Sequence, residues 1–448
     1  MGGTFNGTPK VLPGTYVRYR AKKNTSPAGS VRGIAVVPLV GYDWGPEDTM
    51  IRIESDSPDA SLAKLGRSVY DTSDVSDADV AMVRYIALAL ENAATVYAYI
   101  SGGNAKATKT QGDLTATAKY KGTRGNDITI SVVANPAGGF DVTIYVAGEQ
   151  VEKFEGLTTI AQLAAAGSEW VDFTGTGNLA AAASIVLAGG TDVTPTSTVW
   201  GNYLDACEKI KFNTALMPAS DSSVKTATIS KVNTMRNTAG KTVQFVCVEN
   251  AADNIGIINV TNSFAYSDDD QLSKAQAAAW VAGAEAGADK TTSNTYKIVP
   301  NATAVVGELG LAAAEAAVNA GQMFFSVDDE GQVVLTYDIN SLVNPSSDQD
   351  KSYRKNRVLH TLDSFADDLR LNIRPNQFDN NDEGWDLMTG IGKTLLANYL
   401  ADGAIKNVNP DEDFVVDKTK STGDDVYFDV ALQPVDSAEK IYFTINTQ

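Results

Sequence analysis

Residues 426–445 read VYFDVALQPVDSAEKIYFTI, and this stretch decides how the rest of the chain is organised. Its apolar residues recur at every second position, the period of a β-strand with one buried face. The Gln433-Pro434 step divides it into two strands. A sheet of so few strands leaves unpaired backbone groups along both edges, so strands from elsewhere are expected to join it. The apolar positions are Val426, Phe428, Val430 and Leu432, followed by Ile441, Phe443 and Ile445.

Two helices are predicted immediately before these strands, over residues 350–371 and 385–400. Both segments carry apolar residues at helical spacing, and Asn409-Pro410 separates them from the strands. They supply one layer against the sheet. The apolar positions are Val358, Leu362, Phe365 and Leu369, then Met388, Ile391, Leu395 and Tyr399.

A strand at the other end of the chain could supply the missing pairing. Residues 15–21 alternate between two faces, and glycine- and proline-containing stretches bound them on both sides. Such a strand is isolated from any core, so it must pair with something. Its basic residues, together with Lys22 and Lys23, form the densest basic run of the sequence.

Length and composition predict a soluble protein of two to four domains. The chain has 448 residues, of which 43% are hydrophobic and 20% charged. Its formal net charge of -19 argues against nucleic acid as a partner, because a polyanion would be repelled. The basic run therefore suits a polar partner or an acidic neighbouring subunit.

Cysteine usage and the N-terminal sequence indicate folding in the cytosol. Cys207 and Cys247 are far apart and lie among apolar residues, which predicts buried reduced thiols. The N-terminal residues lack a basic region followed by an apolar one, and the apolar stretch 179–188 falls well short of the roughly 20 residues of a spanning helix. No membrane insertion is expected.

The changing period along the chain predicts an α/β and α+β multidomain fold. A buried strand at 33–40, a helix at 79–92 and a strand at 95–100 form a β-α-β unit, and α/β alternation returns after residue 192. Between them the period is two. The predicted divisions are an N-terminal arm at 1–29, a central α/β domain at 30–100 and 193–345, an inserted mostly-β domain at 101–192, and a C-terminal α+β domain at 346–448 whose sheet other strands complete.

Two features that could suggest chemistry favour a structural interpretation. His360 is the only histidine, which excludes metal sites or relays that need two imidazoles in one chain, and we expect it on a polar face or satisfied within its helix. Gly390-Ile391-Gly392-Lys393-Thr394 ends like a phosphate-binding loop. Leu387 stands where that loop needs glycine, however, and the segment lies in a helical pattern.

The remaining acidic and serine-containing segments also predict no catalytic residue, cofactor or metal. The acidic clusters lack the calcium-loop spacing and mostly fall at turns, where solvated carboxylates or charge against a partner are expected. No Gly-x-Ser-x-Gly sequence occurs. The acidic clusters are 268–270, 328–330, 367–368, 380–383 and 411–413.

Four motifs resemble the contractile tail sheath proteins of myophages and of phage-tail-like bacteriocins (tailocins). Their order and spacing also resemble the family's, although each motif alone is weak. The likeness is clearest up to about residue 221. The motifs are Pro13-Gly14-x-Tyr16-Val17, Gly122-x-x-Gly125-Asn126-Asp127-Ile128, Gly189-Gly190-Thr191-Asp192 and Phe212-Asn213-x-x-Leu216-x-Pro218.

The resemblance implies a virion or tailocin subunit that stacks in rings around an inner tube. It places the C-terminal domain nearest the tube and the inserted domain outside, and it implies partners at the baseplate and tail terminator. Arms of neighbouring subunits would complete the C-terminal sheet, and contraction from a metastable extended lattice would drive the tube. The implied interface residues are Thr15, Tyr16, Val17, Arg18, Tyr19, Val426, Phe428, Val430, Ile441, Phe443 and Ile445.

The sequence leaves alternatives open for the tube contact and for the function. The helical segment 385–407 could contact the tube, with Lys393 and Lys406 facing an acidic tube surface. The alternative is that this helix has an ordinary packing role. Another self-assembling tail or shell protein is the structural alternative to a sheath. A hydrolase using Asp and Ser residues of the α/β domain, or a binding module at 101–190, are the alternatives from other classes.

Overall fold

The structure is a computed structural model of the chain, and it describes residues 2–4, 15–17 and 32–446. Near the N-terminus, Thr15–Val17 pairs in parallel with Gly2–Thr4. Arg18 and Tyr19 of the predicted interface lie outside the described residues. Donation of this arm to a neighbouring subunit therefore stays a prediction.

The centre of the molecule is a seven-stranded, mostly parallel sheet. Every neighbouring pair is parallel except at one edge, where Thr49–Glu54 runs antiparallel to Thr95–Ile100. The predicted β-α-β unit is confirmed as Ile34–Leu39, helix Ala78–Leu90 and Thr95–Ile100. In spatial order the strands are Gln322–Met323, Ile257–Val260, Gln244–Val248, Thr214–Met217, Ile34–Leu39, Thr95–Ile100 and Thr49–Glu54.

Helices cover both faces of this sheet, because the buried strands are apolar on both sides. Helices Ala78–Leu90 and Lys274–Gly287 pack on one face and against each other. Gly283 permits that close approach, since a Cβ there would overlap the backbone of Ala89. On the other face lie helices Ser197–Glu208 and Ser222–Asn233, the second continued by a π-helical turn, Thr234–Thr238.

Smaller elements complete the central region. The acidic cluster 328–330 forms the tip of a hairpin in which Phe325–Val327 pairs with Val333–Leu335. Helix Leu311–Asn319 presents a largely exposed surface. The other elements are Pro58–Ser61, Leu62–Leu65, Ser263–Ser267, Asp270–Gln271, Lys297–Ile298 and Ala304–Val306.

The segment between Ile100 and helix Ser197–Glu208 is mostly β, as its period of two predicts. It contains two main antiparallel sheets, one helix, Ile160–Ala166, and a 3-10 turn, Thr123–Asp127. Trp170 of this segment stacks on Trp44 of the central region at a centroid distance of 5.7 Å, which makes the cores continuous. Its strands are Gly103–Ala105, Thr108–Gln111, Leu114–Ala118, Ile128–Ala134, Phe140–Val146, Glu149–Leu157, Val171–Gly175, Ala182–Val186 and Thr191–Asp192.

The C-terminal region contains two helices and a two-stranded sheet. A 3-10 turn, Lys351–Arg354, precedes helix Asn356–Asn372, and helix Asp382–Ala401 follows. The strands are Phe414–Val416 and Phe428–Val430.

Four predictions for this region were wrong in detail. The second helix ends at Ala401, so Lys406 does not lie on it. The strand predicted from Val426 to Leu432 is shorter, and residues 441–445 form no strand, because nothing among the described residues pairs with them. His360 is not on a polar face: it is 1% exposed, since its side of the helix packs on the central region.

Candidate subunit-assembly surface

The C-terminal sheet pairs only two strands, which leaves both of its edges open. Phe414 lies opposite Val430, and Val416 lies opposite Phe428, in an antiparallel arrangement. Among the described residues no third strand joins either one. Each outer edge therefore presents backbone donors and acceptors without strand partners.

The helix beneath holds this sheet through Phe414. The Phe414 side chain is 1% exposed and lies against Gly392, where any Cβ would overlap the ring. The rings of Phe414 and Phe428 are 5.2 Å apart, and Leu396 and Tyr399 extend the same core. The glycine of the apparent phosphate-loop sequence is thus a packing position inside a helix, which confirms that reading of the sequence.

After the sheet, the chain runs along its own subunit as far as Glu439. The backbone N–H of Lys406 donates to Gln433 O at 2.9 Å, and that of Val435 donates to Ala404 O at 2.9 Å. The Arg357 guanidinium donates to Ser437 Oγ at 2.6 Å.

Among the described residues, Glu439 is the last one of this run that hydrogen-bonds to the central region. Its carboxylate accepts from Ser293 Oγ at 3.0 Å and from Thr295 Oγ at 2.8 Å, and it contacts the Lys355 ammonium group. The Glu439 side chain is 10% exposed. These contacts hold the chain on its own subunit immediately before the exposed residues.

Beyond Glu439 the apolar residues of the C-terminal tail, defined here as residues 441–446, are uncovered. Ile441 is 66% exposed, Phe443 85% and Ile445 86%, and the intervening Tyr442 is 87% exposed. Burying an apolar side chain of this size is worth about 1.5–3 kcal/mol. A run of such residues in water is the mark of a surface that another molecule covers.

The other predicted interface positions lie in the sheet itself. Val426 and Phe428 are half-buried, and Val430 is 37% exposed. Thr15, Tyr16 and Val17 are described here only as a strand paired with Gly2–Thr4. Thr15–Val17 and the C-terminal strands therefore belong to different sheets.

The two lysines predicted to face the tube lie in different environments. Lys393 projects from helix Asp382–Ala401 and forms a 3.0 Å ion pair with Asp411, a largely exposed carboxylate. Lys406 is exposed and follows the helix by several residues. The structure therefore gives them no common helical face.

A buried polar cluster, which the sequence analysis missed, joins the central region to helix Asn356–Asn372. Glu285 Oε2 lies 3.3 Å from His360 Nε2, and Glu285 Oε1 accepts from Asn294 Nδ2 at 2.8 Å. Asp338 accepts from Asn356 Nδ2 at 2.8 Å. The signal that could have found it is a single glutamate in the alanine-rich helix Lys274–Gly287.

Burial sets the charge state of this cluster. Desolvation, with the nearby Asp338, raises the pKa of Glu285 well above its ordinary value. Desolvation, with the charges of Arg32 and Arg236, lowers the pKa of His360 well below its ordinary value. Burial thus favours the uncharged form of both side chains, which are closed to solvent, and this arrangement suits packing between domains.

The described residues hold neither an evident metal site nor reactive thiols. No group of three or more His, Cys, Asp or Glu side chains in these ranges could hold a metal ion. Cys207 and Cys247 are buried, unlinked thiols, as predicted, and burial raises the pKa of each to about 12. None of the helices in the same ranges is long and apolar enough to cross a bilayer.

Comparison with known proteins identifies the class. Residues 101–192 match the phage tail sheath protein beta-sandwich domain, residues 190–341 the phage tail sheath protein central domain, and residues 348–448 the phage tail sheath C-terminal domain. These three matches define a structural protein of contractile tails. The chain belongs to the phage tail sheath protein family.

Individual relatives agree over nearly the full length. The protein XkdK of the phage-like element PBSX of Bacillus subtilis is 31% identical, over 99% of both chains. The crystal structure of the sheath tail protein DSY3957 of Desulfitobacterium hafniense is 34% identical, with a TM-score of 0.82, over 96% of this chain and 99% of the other. The helical sheath of the anti-feeding prophage in its contracted state shares the fold at 11% identity, with a TM-score of 0.54 over 98% of this chain and 100% of the other.

Proposed function

We propose that this chain polymerises helically around an inner tail tube and drives that tube through a target envelope by contracting. The observation that supports the proposal is that one subunit has both a sheet with two open edges and an exposed apolar tail. The tail of one copy can add a strand to the sheet of another copy, and the sheet can cover the apolar side chains of that tail.

Strand addition supplies the linkage between subunits. Residues 441–446 of one subunit, and the arm around Thr15–Val17 of another, add to the two edges of a third subunit's sheet. Each backbone hydrogen bond gained is worth about 0.5–1.5 kcal/mol net, and alternate side chains gain burial. Subunits linked in this way can rotate and slide without separating.

Stored energy in the lattice supplies the movement. Subunits assemble in an extended, metastable lattice, and a signal from the baseplate releases the change to a shorter, wider one. A few kcal/mol from each subunit suffice when many convert together, so no nucleotide, metal or catalytic residue is required. The contracted state in which the anti-feeding prophage sheath was solved supports this end point by likeness of fold.

The parts of the chain have separate roles in this proposal. Residues 1–29 form the linking arm, 30–100 with 193–345 the central domain, 101–192 an outer domain, and 346–448 the domain nearest the tube. Partners are identical subunits, the inner tube protein, the baseplate and the tail terminator, without nucleic acid or membrane insertion. Synthesis and assembly take place in the bacterial cytoplasm, and the product is part of a virion or tailocin tail.

Electron microscopy of truncated chains tests assembly. The full chain, a chain lacking residues 1–23 and a chain lacking 441–448 are concentrated and imaged in negative stain. Hollow cylinders are expected from the full chain alone, while circular dichroism shows that all three are folded. Monomers from the full chain at high concentration would contradict the proposal and favour a binding module or an enzyme.

Deletion of the inserted segment separates the sheath from the binding-module alternative. If residues 101–190 form a peripheral domain, a chain in which a short linker replaces them still polymerises. Loss of polymerisation in a deletion variant that remains folded would place this segment in the lattice itself. Negative-stain electron microscopy distinguishes the two results.

A further inference from the structure

A pocket of about 590 Å³ lies beside the base of the C-terminal tail and is strongly cationic. Lys351, Arg354 and Lys440 line it, and Asp436 is a carboxylate in the same wall. Leu342 and Val343 contribute apolar surface. A chain with a net charge of -19 therefore concentrates positive charge at this place.

The guanidinium of Arg354 is the unusual group in this pocket. Its Nε and Nη2 atoms are buried, and neither donates to any acceptor among the described residues. Its backbone is fixed, since Arg354 O accepts from Asn340 N at 2.9 Å. Because a buried charged donor is destabilised when it has no hydrogen-bond partner, an acceptor that another molecule brings into the pocket would stabilise this position.

The neighbouring charges do not supply that acceptor. Glu439 contacts Lys355, and Asp436 lies 3.9 Å from the same ammonium group. Lys440 faces the ring of Tyr337 at 5.8 Å. Lys351 has no carboxylate partner within the described ranges.

We infer that this pocket binds the carboxylates of an acidic segment from a second copy of this chain. An Arg guanidinium with two free donors suits a carboxylate, and the apolar wall suits the residues beside it. The second copy is the partner because this protein is itself acidic and because the tail that leads to neighbouring subunits begins at the same place. The inference rests on the proposed assembly and adds a specific contact to it.

Charge-removing variants test the inference. Arg354→Gln and Lys351→Gln are compared with Arg374→Gln, an equal charge change at an exposed arginine whose Nε donates to Leu371 O. The critical concentration for polymerisation is measured by sedimentation at low and high salt. We expect Arg354→Gln to raise it at least tenfold and to reduce its salt dependence, with Arg374→Gln close to wild type.

The thermal stability of the unassembled subunit separates weaker assembly from misfolding. Removing an unsatisfied charged donor should leave the Tm of the unassembled variant unchanged or higher, so weaker assembly cannot be attributed to misfolding. Equal critical concentrations for wild type and Arg354→Gln would overturn the inference while leaving the sheath assignment intact. Failure of the wild-type chain itself to polymerise would overturn both.

Crosslinking identifies the partner. Assemblies from a mixture of ¹⁵N-labelled and unlabelled chains are treated with a zero-length carboxyl-to-amine reagent, and Lys351 and Lys440 peptides are mapped. Mixed-isotope crosslinks from these lysines to Asp or Glu are expected. Crosslinks confined to one chain, or to an added tube protein, would overturn the inference.

Discussion

His360 Nε2 and Glu285 Oε2 lie 3.3 Å apart in a space closed to solvent, where helix Asn356–Asn372 meets helix Lys274–Gly287. The two side chains are 1% and 0% exposed. Charged groups at such a place would be strongly penalised, so a neutral acid beside a neutral imidazole is the favoured state. The contact between the two regions is thereby made sensitive to pH from both directions.

Glu285→Gln should stabilise the protein on the alkaline side. The pKa of Glu285 is raised in the folded state, so folding retains a proton that the unfolded chain releases above about pH 4.5. Stability from this group is therefore lost as pH rises. The variant should show a higher Tm than wild type at pH 8 and a smaller difference at pH 5; an unchanged difference across this range would contradict the assignment.

His360→Gln should have the opposite pH dependence. The pKa of His360 is lowered in the folded state, so below about pH 6.5 the unfolded chain binds a proton that the folded chain excludes. Wild type should therefore lose about 1–2 kcal/mol more stability than the variant between pH 7 and pH 5. Calorimetry at the two pH values measures this, and parallel curves would show that the imidazole binds its proton equally well in the folded and unfolded states.

Gly392→Ala should loosen the C-terminal sheet. The added methyl group overlaps the Phe414 ring, and overpacking of this kind costs about 1–3 kcal/mol. Gly390→Ala is the matched control, because nothing lies within 4 Å of its Cβ position, and an alanine there should stabilise the helix by about 0.5–1 kcal/mol. Opposite changes in Tm are expected; equal changes would mean that Phe414 does not pack there.

Arg236→Gln should weaken the attachment of helix Asn356–Asn372. Arg236 binds Asp363 through two bonds of 2.8 and 3.0 Å, and both side chains are about one-tenth exposed. Removing one partner of such a pair costs about 3–5 kcal/mol. Lys393→Gln breaks an exposed pair and should cost less than about 1 kcal/mol. Denaturant unfolding measures both, and similar losses would be the contradicting outcome.

The sequence predicted much of this architecture because the apolar periods are local. The unit of Ile34–Leu39, helix Ala78–Leu90 and Thr95–Ile100 follows from such patterns, and so does the helical placement of Gly390–Thr394. The Glu285–His360 contact could not be predicted, since it joins residues of two helices far apart in sequence. Whether residues 441–445 form a strand could not be predicted from the sequence either, because a strand needs a neighbouring strand to hydrogen-bond with, and the described part of this single chain provides none.

A cryo-EM reconstruction of the assembled cylinder tests the central claim most directly. The account predicts that residues 441–446 of one subunit continue, as a hydrogen-bonded strand, the sheet formed by Phe414–Val416 and Phe428–Val430 of a neighbouring subunit. The N-terminal arm of another subunit should lie at the other edge. Cylinders in which these segments fold back on their own subunit, leaving the sheet edges open, would contradict it.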